Sequence, residues 1–299
     1  MEPSVFGFSV RSTAPLRFLR SGGGDQPLEV VTSEEGDHQP PGELLGEWPL
    51  QGTSYPAQAK LFRVPRGYQY WTSDAGSFRV DLEHGRIEIP SEGEPLLREQ
   101  RLHGMPMILS FRARGDVSLH AAAVEVGSGA VVIAAPSRYG KSTLAFAFQR
   151  EGHRALSEDL ICCRPATAEA IPGPALFRLR PDVFDRDLPE GLFVAAELPD
   201  RIFVGFDAAH SGSGAPVPIK AIVFLRESSE LGVEEVPRIT ALKDLWRLSF
   251  RTGTEQDRAD SFQRLTALAG SVPSWNVYRP LVSSALSETV ELIRNTVER

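Results

Sequence analysis

The sequence predicts an α/β fold, a mixed sheet with helices, preceded by a smaller β-rich domain. Three observations support this. Residues 1–105 are short apolar or alternating runs cut by turn residues. From about Leu119 onward, β-forming runs alternate with stretches of helical periodicity. No internal repeat links the two halves, so the chain of 299 residues divides best into residues 1–105 and 106–299, with the change-over between about Pro90 and Ser118.

In the first part, residues 28–31, 60–64, 68–71, 77–82 and 86–89 read as strands. Gly22-Gly23-Gly24, Pro40-Pro41-Gly42 and His84-Gly85 supply the turns between them. Residues 32–42 are polar and hold two prolines, the pattern of a flexible loop. In the second part, residues 120–126 and 130–135 read as a hairpin about Gly127-Ser128-Gly129. A helix is expected over 141–150, stopped by Gly152. Apolar runs at 154–157, 160–163 and 219–225 follow as strands. Helices are expected at 240–250, at 258–269 (Ala259, Phe262, Leu265 and Ala269 sharing a face) and at 282–297 (Leu286, Val290, Ile293 and Val297).

Composition narrows the function classes. A formal charge of −7 argues against nucleic acid as the main partner, because backbone phosphates require a positive surface. No apolar run approaches the roughly 18–20 residues that span a bilayer. Met1-Glu2-Pro3-Ser4 does not begin a signal peptide, so the expectation is a cytoplasmic protein without membrane association. Cys162 and Cys163 are the two cysteines; adjacent thiols suit neither disulfide geometry nor a zinc framework and read as buried strand residues. Lysine is rare, occurring at Lys60, Lys141, Lys220 and Lys243.

Lys141 falls in the most informative stretch. Ala135-Pro136-Ser137-Arg138-Tyr139-Gly140-Lys141-Ser142 follows the phosphate-loop pattern G-x-x-x-x-G-K-[ST], with Ala in place of the first Gly. The apolar run 130–134 supplies the preceding strand, and Thr143-Leu144-Ala145-Phe146 opens the following helix. In such a loop, successive N–H groups hold phosphate oxygens and Gly140 allows close approach. Lys141 adds charge for the outer phosphates, and Ser142 offers a hydroxyl to Mg²⁺. Ala135, Ser137, Arg138, Tyr139, Gly140, Lys141, Ser142 and Thr143 are therefore the candidate nucleotide-binding residues.

Two further groups are placed beside this loop. If the run 154–157 lies parallel to 130–135, its carboxyl end presents Glu158-Asp159 at the loop, where one carboxylate can serve a metal and the other a proton. In a hairpin centred on Ser128, His120 pairs near Pro136, at the loop's mouth.

Together, His120-Ala121-Ala122, Ser137-Arg138-Tyr139-Gly140-Lys141-Ser142-Thr143, Gly152-His153-Arg154 and Ser157-Glu158-Asp159 resemble the HPr kinase family, a branch of the phosphoenolpyruvate carboxykinase-like fold. Ile171-Pro172-Gly173-Pro174, Phe177-Arg178-Leu179-Arg180, Val272-Pro273 and Tyr278-Arg279-Pro280 resemble, more loosely, shorter HPr-kinase-like proteins of peptide-modification gene clusters. The resemblance implies a P-loop mixed-sheet kinase using ATP and Mg²⁺ on a hydroxyl, most often serine, of a peptide or small molecule. It implies Glu158 as base, Asp159 and Ser142 at the metal, Lys141 on the phosphates and His120 beside the transferred group. It also implies a tendency to form homo-oligomers. The sequence departs from the family pattern at Glu158, where Asp is usual, and at Arg138-Tyr139, where small residues are usual. The segment with which HPr kinases engage HPr is missing, so HPr is not the expected acceptor. The alternative is a nucleotide-binding regulatory or partner-binding protein that has lost phosphotransfer.

Overall fold

The structure, a computed structural model, describes residues 2–33, 42–50, 55–184, 186–252 and 254–298. Its first nine strands form one sheet. Their spatial order is Arg20–Ser21, Pro3–Val5, Phe8–Ser12, Gln26–Ser33, Arg86–Pro90, Gly76–Asp81, Gly67–Thr72, Gln58–Val64 and Glu43–Pro49. Gln26–Ser33 joins its two neighbours in parallel; the other pairings are antiparallel. Thr32 and Ser33 thus continue a strand where a loop was expected, and most of that expected loop, residues 34–41, lies outside the described residues.

Two helices close this sheet. Pro95–Leu102 begins at Glu94, whose carboxylate accepts from the Leu96 and Leu97 amides at 3.1 and 2.6 Å. Met105–Ala113 is apolar on nearly every side and sinks Met107, Ile108, Leu109 and Phe111 among Phe78, Val80 and Ile87 of the sheet. The same core takes in Leu160, Cys162 and Ile171 of the second sheet, so the helix Met105–Ala113 packs against both.

The second sheet runs Val117–Leu119, Ile161–Arg164, Glu169–Ile171, Val217–Glu227, Gly129–Ala134, Ala121–Val126 and Ala155–Ser157. Ser274–Arg279 adds in parallel to the second half of Val217–Glu227, and Gly232–Glu235 pairs beyond it. At its centre, Gly129–Ala134 is buried on both faces, which is why it reads as an unbroken apolar run. Ala130, Val132 and Ala134 face the helices Arg238–Leu248 and Glu255–Ser271. Val131 and Ile133 face Lys141–Arg150, Leu286–Val297 and a small sheet of Leu176–Leu179, Arg201–Phe206 and Leu192–Leu198.

Two expectations are corrected in detail. On Glu255–Ser271 the buried face is Ser261, Leu265, Leu268 and Ala269; Ala259 is exposed, and Phe262, 53% exposed, meets Trp246 edge-on at 5.9 Å. The hairpin turns on Gly127-Ser128, with Gly127 at φ +59°, so Ala121 faces Ala134 and the register differs by one from a turn centred on Ser128.

Both cysteines are buried strand residues with free thiols. The helices hold no segment long and apolar enough to cross a membrane among the described residues.

Candidate functional site

The carboxyl ends of Gly129–Ala134, Val217–Glu227 and Ser274–Arg279 lie at one edge of the sheet, because all three strands run in parallel. Ala155–Ser157 points the same way, with the antiparallel Ala121–Val126 between it and Gly129–Ala134. This is the edge at which ligands of open α/β sheets sit.

The loop leaves Gly129–Ala134 there and enters the helix Lys141–Arg150 through Gly140, at φ +78°. The first intrahelical bond runs from the Leu144 amide to the Gly140 carbonyl, 2.9 Å, leaving Lys141, Ser142 and Thr143 amides without a helical acceptor. Those amides and the helix dipole make a positive end suited to an anion. Arg138 takes φ +70° at the exposed tip beside Ser137, whereas Tyr139 packs down onto the core. Lys141 is 5% exposed and donates from Nζ to the carbonyls of Ala135 and Pro136, at 2.8 and 3.0 Å. Burial lowers its ammonium pKa, against the opposing charges of Asp159 and Glu158.

Glu158 and Asp159 follow Ser157 in a tight turn, with Asp159 itself at φ +67°. A non-glycine residue held there is strained, which marks a position determined by its surroundings. Those surroundings are three side chains, Ser142, Arg178 and His120, brought in from separate parts of the fold. The Ser142 hydroxyl donates to Glu158 Oε1. Arg178 donates from Nε to Glu158 Oε2 at 3.2 Å and from Nη2 to Asp159 Oδ2 at 2.5 Å. His120 Nε2 lies 2.9 Å from Asp159 Oδ1. His120 opens the hairpin, its amide donating to the Leu248 carbonyl at 2.7 Å and its ring 6.2 Å from that of Phe250.

The two carboxylates differ in setting. Glu158, with a side chain 5% exposed, has its pKa raised by burial and by the neighbouring Asp159, against Arg178 and Ser142. Asp159, 42% exposed, is held well below the usual carboxylate range: burial opposes ionisation, but Arg178, His120 and Lys141 outweigh it. Arg178 is in turn kept charged, the two carboxylates outweighing its burial.

All the loop and acidic-pair residues singled out in the sequence come together here, with one exchange of partners. Ser142 meets Glu158, whereas Asp159 meets His120; the sequence-based pairing of Ser142 with Asp159 at a metal is not the contact observed. The physical reason is the left-handed turn at Asp159, which separates the two carboxylates: the longer Glu158 reaches Ser142 and Asp159 reaches His120. Three or more His, Cys, Asp or Glu side chains do not converge into a metal cage among the described residues. Ser142 and Glu158 nonetheless fit Mg²⁺, which keeps waters and phosphate oxygens and needs few protein ligands.

Sequence reasoning did not place two arginines. Arg178 belongs to the alternation Leu176–Leu179, in which Phe177 and Leu179 enter the core and Arg178 faces the carboxylates; that alternation was the available signal. Arg279 ends the strand Ser274–Arg279, beside the loop, and is 3% exposed. A Cβ added at Gly140 would lie 3.0 Å from its Nη1. Both arginines lie in segments quoted above for their resemblance, Phe177-Arg178-Leu179-Arg180 and Tyr278-Arg279-Pro280, but neither was assigned to the site, and Arg279 reaches the loop only through the sheet. From the first part of the chain, His103 is also buried; burial and then the charge of Arg178 push its imidazole down to about 3.

No protein-family model matches this sequence, and no curated protein matches it. Among solved structures, the chain shows a distant likeness to the Hpr(Ser) kinase/phosphatase from Coxiella burnetii. That match covers 60% of this chain and 95% of the other, at 10% identity and a TM-score of 0.33. A likeness of that size carries no argument about activity, which rests on the geometry of the site.

Proposed function

We propose that this chain is an ATP- and Mg²⁺-dependent kinase that phosphorylates a hydroxyl, most naturally serine, on a peptide or small molecule. The observation that carries the reading is the meeting of a Gly-Lys-Ser loop at a helix start with two carboxylates bridged by Arg178. Phosphoryl transfer asks for positioning and charge stabilisation more than for covalent chemistry, and these groups supply both.

In this reading the loop amides and Lys141 hold the outer phosphates; Lys141 exchanges its two loop carbonyls for phosphate oxygens. Ser142 and the buried Glu158 would hold Mg²⁺. When bound, the cation neutralises charge on the phosphates. Asp159, more exposed and paired with His120, orients the acceptor hydroxyl and takes its proton as the new O–P bond forms and the bond to ADP breaks. Relative to the sequence-based assignment, the two carboxylates thereby exchange roles, following the contacts of Ser142 and His120.

The test is incubation with γ-labelled ATP and serine-containing peptides. Label should appear on the acceptor, and Lys141→Ala should reduce transfer to background with an unchanged circular dichroism spectrum. Full transfer by that variant overturns the reading. Asp159→Asn separates the kinase from a nucleotide-binding regulator: the kinase loses transfer while ATP still binds.

A further inference from the structure

Arg279 is buried beside the loop and has no ion-pair partner among the described residues. Its Nε and Nη1 find no hydrogen-bond partner among the described residues, the only side chain there with two such orphaned nitrogens. A buried guanidinium ordinarily has carboxylate or carbonyl partners, because leaving its donors unmet costs several kcal/mol per ion. Arg20 shows the usual solution: equally buried and without a carboxylate, it donates to the carbonyls of Gly173, Ser211, Ala155 and Leu156 at 2.5 to 3.0 Å. Arg279 has no such set. It stands against Gly140 of the loop, where a Cβ would lie 3.0 Å from its Nη1 and where a glycine allows a ligand to come close to the backbone.

We propose that Arg279 is an anion-binding residue of this site, its Nε and Nη1 donating to the outer phosphate of a bound triphosphate from the side of the loop opposite Arg178. This rests on the kinase reading for the identity of the ligand, but not for the anion itself. The guanidinium fork suits phosphate oxygens, two parallel N–H donors to two acceptors. Its position at the carboxyl end of a strand parallel to the loop's own strand keeps it at the ligand-binding edge. Burial lowers its pKa, as expected of a cation waiting for a counter-charge.

The experiment compares the full chain with Arg279→Met and Arg279→Lys, measuring calorimetric binding of ATP and of inorganic tripolyphosphate, and thermal unfolding without ligand. Arg279→Met should weaken binding of whichever triphosphate the parent takes by about 10- to 100-fold, the range for hydrogen bonds to charged groups. Its unfolding midpoint without ligand should stay level or rise, because an uncompensated buried charge has gone. Arg279→Lys should bind at an intermediate level. Unchanged binding by Arg279→Met overturns the proposal, as does a variant that unfolds earlier or fails to fold, since the arginine would then be structural. If tripolyphosphate binds in an Arg279-dependent way while ATP does not, the anion site stands and the kinase reading falls. Should the parent bind neither compound, both fall.

Discussion

On one flank of the Gly-Lys-Ser loop, Arg178 meets Glu158 and Asp159, which in turn meet Ser142 and His120. On the other flank, Arg279 stands over Gly140 with Nε and Nη1 unmet. Both guanidiniums are held in place by strands whose apolar residues pack into the same core. The difference is therefore one of saturation and not of burial. A saturated network fixes the geometry of its members before any ligand arrives; an unsaturated cation stores a cost that a ligand can relieve. The first kind of arrangement positions and the second recruits.

The sharpest way to break that contrast is to remove each arginine with an apolar side chain of similar length. Arg178→Met leaves two buried or half-buried carboxylates facing each other without the cation that bridges them. It should destabilise the chain by about 3–5 kcal/mol, the cost of breaking one side of a buried pair. Chemical denaturation measures it, and the opposite sign expected for Arg279→Met makes the pair of variants decisive. If both lose stability alike, the two flanks are equivalent and the contrast is wrong.

A smaller effect tests the contact at the loop itself. Gly140→Ala adds a Cβ at φ +78° and 3.0 Å from Arg279 Nη1, so it should cost about 1–3 kcal/mol. Part of that cost is backbone and part is the crowded guanidinium. In an Arg279→Met background the second part should vanish, giving a coupling on the order of 0.5–1 kcal/mol in a double-mutant cycle. Strict additivity would show that the two residues do not touch. Ser142→Ala on the saturated flank removes one donor to Glu158 and should cost about 1 kcal/mol of stability.

Local chemistry made one flank largely legible in the sequence. The loop, its helix and the acidic pair lie within 25 residues of one another, from Ala135 to Asp159, and each carries its own pattern. His120 followed from hairpin arithmetic, off by one because the turn closes on two residues rather than three. Arg178 and Arg279 were not placed, for a common reason. Their partners are 20 and 139 residues away in sequence and are reached only through the tertiary fold, which no short window contains. The Phe262 stripe failed differently: an aromatic at helical spacing looks like core, yet Phe262 stays exposed and rests on the partly buried Trp246. The roles of Glu158 and Asp159 were not separable from composition, because the left-handed turn at Asp159 decides which carboxylate reaches Ser142.

The smallest effect concerns pH and sharpens the difference between those two carboxylates. Glu158 has a folded pKa raised above its ordinary 4.5 by burial and by Asp159. As pH rises through that value, the unfolded chain releases this proton first, so Glu158 lowers stability with rising pH until the folded form also ionises. Asp159 works in the opposite sense: its pKa is depressed, so its contribution is present above the ordinary 3.8 and fades as pH falls below it. Glu158→Gln should abolish the first trend and leave the second. Measured by denaturation from pH 4.5 towards neutrality, the parent should lose stability that the variant keeps. A parent and variant with the same slope would mean that Glu158 is ionised in the folded chain as readily as in the unfolded one. In that case Arg178 and Ser142 would compensate its burial completely, and the carboxylate beside the loop would enter the reaction already charged.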